Sequence, residues 1–164
     1  MNKIKNLIIK RIDENDKDKI IKIIEKEWGS RIIVSKGKKY NINDLPGFIA
    51  KFDNKIVGII TYYINNKKCE IISLNVIKEN IGIGTKLIEQ VKLEALNKKC
   101  KKILLITTND NINAIKFYQK KGFNIKKVNI NAIKRSRKIK PGIPEKGFYN
   151  IPILHEVEFE LKIK

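Results

Sequence analysis

Lys78-Glu79-Asn80-Ile81-Gly82-Ile83-Gly84-Thr85-Lys86-Leu87-Ile88 decides how this chain is read, because a strand-like run, Cys69 to Val76, leads into it and a helical pattern leads out. Gly82 and Gly84 remove side chains where a backbone must turn tightly, so that successive N–H groups and the positive end of the following helix can face an anionic phosphate. Alone the signal is weak: the stretch lacks the third glycine of a dinucleotide fingerprint and misses P-loop spacing. It gains weight from a second signature, Asn111-Ile112-Asn113-Ala114-Ile115-Lys116-Phe117-Tyr118-Gln119-Lys120-Lys121-Gly122-Phe123. There Asn111, Ala114 and Tyr118 stack at spacings of three and four on one helix face, where all three could touch one extended ligand.

Downstream of the glycines, Ile83, Leu87, Val91 and Ala95 fall on one face with Ile88 beside them, while Lys86, Glu89, Lys92 and Lys99 point outward. Ile103 to Thr107 reads as a short buried strand of the parallel type. Asn111 can cap the next helix and Lys121-Gly122 ends it. Upstream, Gly47 to Phe52, Ile56 to Ile64 and Cys69 to Val76 read as three antiparallel strands joined by turns at Asp53-Asn54 and Asn65-Asn66. Ile4 to Arg11 predicts a first strand. Asp13-Glu14-Asn15-Asp16 supplies caps for a helix carrying Ile20, Ile21, Ile23 and Ile24 and ending at Trp28-Gly29. The piece from Ser30 to Leu45 reads as irregular, with an apolar run Ile32-Ile33-Val34 and a turn at Lys36-Gly37. Ile125 to Ile130 and Glu156 to Leu161 alternate as the last strands, separated by a proline-marked loop from Ile133 to Pro152. This order gives an α+β fold with one βαβ unit.

A chain of 164 residues without internal repeats or a linker is expected to form a single domain over 1–164. Its 42% hydrophobic and 32% charged residues suit a soluble globular protein. The start of the sequence has no sustained apolar stretch, which predicts a cytoplasmic protein, and no run is long and apolar enough for a membrane span. Cys69 and Cys100 have neither CxxC spacing nor a companion histidine, so they read as reduced thiols and no metal site is expected. The 36 basic against 17 acidic side chains give a formal net charge of +19, which raises nucleic acid as a partner. Nearly all the excess is lysine, however; Arg11, Arg31, Arg135 and Arg137 are the arginines, and base-reading surfaces favour arginine's bidentate fork. Specific nucleic-acid recognition is therefore not the expected role, although the field should gather an anionic cofactor.

With both motifs in these places, the sequence resembles the GNAT superfamily of acyl-CoA-dependent N-acetyltransferases. The resemblance covers Gly47 to Phe123 well and the termini by element order. It implies a GNAT-like mixed, mostly antiparallel central sheet of six to seven strands flanked by helices, with an acetyl-CoA cleft between the fourth strand (Cys69 to Val76) and the fifth (Ile103 to Thr107). Leu74-Asn75-Val76 matches the family's Leu-x-Val strand end and would take the pantetheine. Ile81, Gly82, Ile83, Gly84, Thr85 and Lys86 match the pyrophosphate loop. Asn111, Ala114, Phe117 and Tyr118 match the second motif. Where the family usually opens its loop with Gln or Arg, this chain has Glu79; an acid there repels pyrophosphate, so its side chain is expected to point away and the backbone N–H groups to make the contacts.

The chemistry follows from that placement. Tyr118, with an ordinary pKa of about 10, is protonated at neutral pH and can give its proton to a leaving CoA thiolate, so it is the expected general acid. An amine of pKa about 10.4 is mostly ammonium at pH 7, and freeing its lone pair costs roughly 4 to 5 kcal/mol unless a base helps. Glu70 is the candidate base, expected on the same strand face as Ile72 and Leu74. A strand backbone N–H would meet the oxyanion. The lone histidine, His155, reads as structural, and nothing near Cys69 would activate it as a nucleophile. By the resemblance, Trp28 to Phe48 and Ile133 to Pro152 wall the acceptor site. Their Trp28, Arg31, Tyr40, Phe48, Arg135, Arg137, Phe148 and Tyr149 are compatible with an acceptor bearing an aromatic or anionic part, a small molecule being favoured over protein. A homodimer through the C-terminal strands is a further implication. The alternative reading is a non-catalytic basic module that binds nucleic acid or another acidic partner.

Overall fold

The computed structural model describes residues 6–78 and 81–164. Ile4 and Lys5 of the expected first strand, and Glu79 with its expected orientation, lie outside the described residues. In chain order the elements are β1 (Leu7–Arg11), α1 (Glu14–Trp28), β2 (Ile32–Ser35), β3 (Lys38–Asn41), β4 (Gly47–Phe52), β5 (Lys55–Asn65), β6 (Lys68–Val76), α2 (Ile83–Asn97), β7 (Lys102–Thr108), α3 (Ile112–Lys120), β8 (Asn124–Asn129), α4 (Ala132–Ile139) and β9 (Glu156–Lys162). Seven strands form one mixed sheet in the spatial order β1-β4-β5-β6-β7-β9-β8. Its one parallel pair among the described residues is β6 with β7, joined through α2 as a βαβ unit.

Local chemistry sets the boundaries of several elements. Asp13 and Asp16 form a reciprocal capping box at the start of α1, and Gly29 closes the helix in the left-handed conformation at φ 71°. Asp53 and Asn54 take positive φ in the β4–β5 turn, a conformation asparagine and aspartate tolerate. The β5–β6 turn uses Asn66 and Lys67, one residue later than the sequence suggests.

Two expectations need correction. The piece from Ser30 to Leu45 is an ordered hairpin, β2–β3, followed by a short 3-10 turn at Ile42–Asp44. Burial of Ile33, Ser35, Tyr40 and Ile42 holds this segment down, and that burial comes from partners distant in sequence. Within the loop from Ile133 to Pro152 lies most of α4, whose Ala132, Ile133 and Ser136 are buried while Lys134, Arg135 and Lys138 face out.

The sheet is covered on both faces. On one face Ile20 and Ile24 of α1 and Ile33 and Tyr40 of the hairpin pack on Ile49, Ile59 and Ile72. On the other, Leu87, Val91 and Ala95 of α2 and Tyr118 of α3 pack with Ile60, Ile71, Leu105 and Phe159. Fully buried side chains such as Ile24 and Leu87 each contribute ~1.5–3 kcal/mol of apolar transfer.

One irregularity shapes the centre of the sheet. In the β5–β6 ladder Thr61 pairs with Ser73 but Tyr62 pairs with Ile71, so Ile72 is an extra residue, a β-bulge. Pairing between β6 and β7 stops at Ile71 and Leu105. Beyond that point β6 stays with β5 as far as Val76, and β7 stays with β9 as far as Thr108. The two central strands therefore end in a splay, with the backbone of Ile72 to Val76 on one side and Ile106 to Thr108 on the other.

Candidate functional site

Both sequence motifs converge on this splay. Gly82 is the N-cap of α2 at φ 78°, a region L side chains rarely adopt, and no side chain caps the helix. The N–H groups of Ile83, Gly84 and Thr85 belong to the first turn, which has no intrahelical acceptors for them, so they and the positive helix end are available to an anion. Ile83 is buried at 1% exposure and anchors the turn, while Thr85 is half-buried and Lys86 exposed. Ile81, half-buried, packs against the core beside them.

Gly84 links the two motifs. A Cβ placed there would lie 3.2 Å from Cζ of Phe117 and 3.5 Å from Cγ2 of Val76. The first turn of α2, the middle of α3 and the end of β6 are thus in contact, and glycine is what lets them approach so closely.

On α3, Asn111 accepts a hydrogen bond from the Ala114 N–H at 3.2 Å, and its own N–H donates to the Thr108 carbonyl at 3.1 Å. The cap is as expected, and it ties the helix start to the end of β7. Ala114 is half-buried against the core. Tyr118 is buried, its ring edge-on to Phe117 and Phe123 at 5.4 and 5.8 Å and tilted against Phe159 at 5.9 Å. Burial pushes its hydroxyl pKa well above the ordinary value, so the proton is held more tightly than the sequence alone suggests.

Glu70 departs from expectation. The bulge at Ile72 breaks the strand alternation, so Glu70 pairs opposite Tyr63 on the α1 and hairpin face, whereas Leu74 and Val76 pack into the core beneath α2. Glu70 and Leu74 therefore point to opposite faces. The Glu70 carboxylate accepts a hydrogen bond from the Ser35 hydroxyl of the hairpin at 2.7 Å. Tyr40 stands beside it; burial first, and then the negative charge of Glu70, push that phenol up to about 12. Asn75 lies on the same face as Glu70, in the open part of β6, and its Oδ1 is buried without a donor among the described residues.

Other candidates are occupied. His155 Nδ1 accepts from the Asn131 N–H at 2.9 Å, and the His155 N–H donates to Asn109. Burial pushes the Cys69 thiol up to about 12, which removes thiolate nucleophilicity at neutral pH. A hollow of about 320 Å³ between β1 and α2, lined by Ile9, Arg11, Phe48 and Glu94 among others, contains no residue of either motif.

Sequence reasoning missed two groups. Asn109 and Asp110, at the end of β7, hold the chain before β9. Asn109 Oδ1 accepts from the N–H groups of Leu154 and His155, and Asp110 Oδ2 accepts from the Phe148 N–H at 3.0 Å. The polar run Asn109-Asp110-Asn111 at a strand–helix junction was the available signal. Glu156, Glu158 and Glu160 of β9 share one sheet face, and the alternation that placed the strand also placed them.

Comparisons with known proteins agree with this fold. The sequence profile described as "Acetyltransferase (GNAT) family" matches residues 17–123. The chain is 43% identical over 142 residues, 86% of its length and 89% of the other, to the "Uncharacterized protein YxbD" of Bacillus subtilis (strain 168). Among solved structures it superposes on the IAA acetyltransferase from Bacillus cereus ATCC 14579 with TM-score 0.73 and 18% identity, covering 96% of this chain and 100% of that one. It likewise superposes on a GNAT family acetyltransferase from Elizabethkingia anophelis with acetyl-CoA bound, at TM-score 0.69 and 22% identity, covering 96% and 99%.

Proposed function

This chain belongs to the acetyltransferase (GNAT) family, and from that premise we propose that residues 1–164 act as one N-acetyltransferase unit, moving an acetyl group from acetyl-CoA directly to an amine. The observation that carries the reading is the close packing of Gly84 against Phe117 and Val76, which joins an uncapped helix N-terminus to the splayed strands. In this reading the pyrophosphate lies on the N–H groups from Gly82 to Thr85 with the exposed Lys86 side chain beside them, and the pantetheine follows Leu74, Asn75 and Val76 past Ala114. Asn111, its Oδ1 spent on the cap, offers its amide N–H groups. The solved relative with acetyl-CoA bound supports the choice of co-substrate.

The amine lone pair attacks the thioester carbonyl carbon, the C–S bond breaks, and the CoA thiolate takes the Tyr118 proton. Glu70, oriented by Ser35, takes the proton the amine sheds, directly or through a water. A small acceptor is favoured because the two walls are tied together: Lys140 at the end of α4 donates to the carbonyl oxygens of Trp28 and Ile32, at 3.4 and 3.1 Å. Such a bridge leaves less room for a polypeptide to lie across the site.

Thiol release from acetyl-CoA, followed with small primary amines and with short peptides, tests the proposal. Release that depends on a small amine is the expected result. Absence of release with either set, beside retention of nucleic acid that salt removes, would favour the basic-module alternative suggested by the net charge of +19.

A further inference from the structure

The end of the molecule away from the splay is built from lysine. Residues 65–68 at the β5–β6 turn, 97–102 between α2 and β7, and 162–164 at the end of β9 hold eight lysines among thirteen residues and no aspartate or glutamate. The whole chain has 36 Lys and Arg in 164 residues, so this density exceeds the general basic excess.

The fold brings the three segments together. The Lys101 N–H donates to the Lys67 carbonyl at 2.8 Å, and the Ile163 N–H donates to the Lys101 carbonyl at 3.1 Å. Lys68, Lys102 and Lys162 are register partners on the adjacent strands β6, β7 and β9, so they share one face at the strand spacing of about 5 Å. Lys98 and Lys99 follow the last turn of α2, their N–H groups donating to the Glu94 and Leu96 carbonyls. Seven of the eight side chains are exposed, and Lys102 is half-buried.

Like charges opposite one another in a sheet are destabilising. Among the described residues one carboxylate answers the cluster, that of Glu160, which is paired with Lys102 at 2.8 Å and with Lys126 at 3.4 Å. The other seven lysines form no ion pair among the described residues. The negative end of the α2 dipole accounts for Lys98 and Lys99, but not for Lys67, Lys68, Lys101 or Lys162 on turns and strands. Nor does the co-substrate account for them. Helix α2 runs fifteen residues, about 22 Å, from the glycine turn to the cluster, and β6 and β7 both start here and end at the splay.

The chemistry of the cluster selects its partner. Arg11, Arg31, Arg135 and Arg137 all lie elsewhere, and the three segments carry no aromatic side chain, so neither bidentate base reading nor base stacking is available. Their apolar residues, Cys100 and Ile163, are buried and half-buried, which leaves them nothing to insert into a lipid surface. Lysine point charges suit phosphate oxygens repeated along a backbone. A duplex offers such oxygens on its outside while its bases are turned inward and already stacked.

We propose that this lysine end binds the phosphate backbone of duplex nucleic acid without reading its sequence, at a surface separate from the co-substrate opening. Both surfaces can then be occupied at once, and the contact adds to the transferase reading without depending on it.

Fluorescence anisotropy of a short labelled DNA duplex of mixed sequence tests this with three proteins. They are the native chain, a cluster variant (Lys68→Gln, Lys98→Gln, Lys101→Gln, Lys162→Gln) and a control of the same net charge (Lys19→Gln, Lys22→Gln, Lys26→Gln, Lys55→Gln), every position being exposed. The native chain is expected to bind, with affinity falling about a hundredfold or more between about 50 and 200 mM salt. The cluster variant should lose about tenfold or more of that affinity with a shallower salt slope, and the control less than about threefold. Saturating acetyl-CoA should leave duplex affinity unchanged. No binding at the lower salt, equal losses in the two variants, displacement of the duplex by acetyl-CoA, or tighter binding of phosphatidylserine vesicles or poly-L-glutamate would overturn the proposal. Thermal melts report the folding of both variants. Lys68→Arg, Lys98→Arg, Lys101→Arg and Lys162→Arg together, which keep the charge, should retain native duplex affinity. Acetyl-CoA affinity measured in the same proteins judges the transferase reading by itself.

Discussion

In the proposed mechanism Tyr118 carries the heaviest chemical demand of any single residue. Its ring is fixed by Phe117, Phe123 and Phe159, so Tyr118→Phe removes the hydroxyl while leaving the packing intact. Turnover should fall about 10²-fold or more, with acetyl-CoA affinity little changed; steady-state rates beside calorimetry check this, and equal turnover would remove Tyr118 from the proton transfer. At Gly84 the demand is steric. An alanine methyl 3.2 Å from Phe117 forces that ring to yield, so Gly84→Ala should cost about 1 kcal/mol of stability and weaken acetyl-CoA binding together. Urea unfolding and titration of the same variant measure both effects. These residues were legible because their chemistry is local: the left-handed φ at Gly82 and the cap at Asn111 follow from what glycine and asparagine do to their own backbone. The burial of Glu156 was not, since it depends on Ser136 and Arg135 of α4 and on Lys36 at the hairpin turn, groups that only the tertiary fold brings to it.

Among the elements, the bulge in β6 has the widest consequence. It turns Glu70 toward the hairpin, leaves Leu74 and Val76 beneath α2, and coincides with the end of β6–β7 pairing. Nothing in Ile71-Ile72 announces it, because both side chains are apolar and each is buried, one in either core layer. The β2–β3 hairpin and α4 were missed for a related reason: their short apolar sets mean little until a distant surface is there to cover them. Helix α1, by contrast, is pinned by charge. Asp16 is buried, which alone raises its pKa, but Lys10 of β1 at 2.7 Å, Lys51 of β4 at 2.9 Å and the Asp13 N–H together bring it down to about 2 from 3.8. A folded-state pKa below the unfolded one means stability that is present above the unfolded value and lost as pH falls toward the folded one. That contribution is on the order of 2 kcal/mol, full above about pH 5 and nearly gone by about pH 2. Urea melts across that range should show it in the native chain, and Asp16→Asn should be less stable at neutral pH with a flatter acid limb; an unchanged acid limb would mean that Asp16 is not the group responsible.

At the scale of the whole molecule, element order made the fold legible. A three-strand meander, a glycine loop into a helix, a buried strand and a second capped helix leave few arrangements for one βαβ unit within a mostly antiparallel sheet. The large positive charge adds a long-range attraction for an anionic co-substrate, so acetyl-CoA affinity should weaken as salt rises without vanishing, because the helix N–H groups remain. The central claim is that the uncapped start of α2 and the splayed strands together hold acetyl-CoA. Calorimetric titration of the purified chain with acetyl-CoA in moderate salt, beside a Gly82→Glu, Gly84→Glu variant shown by circular dichroism to be folded, tests it most directly. The account predicts one-to-one binding by the native chain and none by the variant; no binding by the native chain once bound nucleic acid is removed, or equal binding by the folded variant, would contradict it.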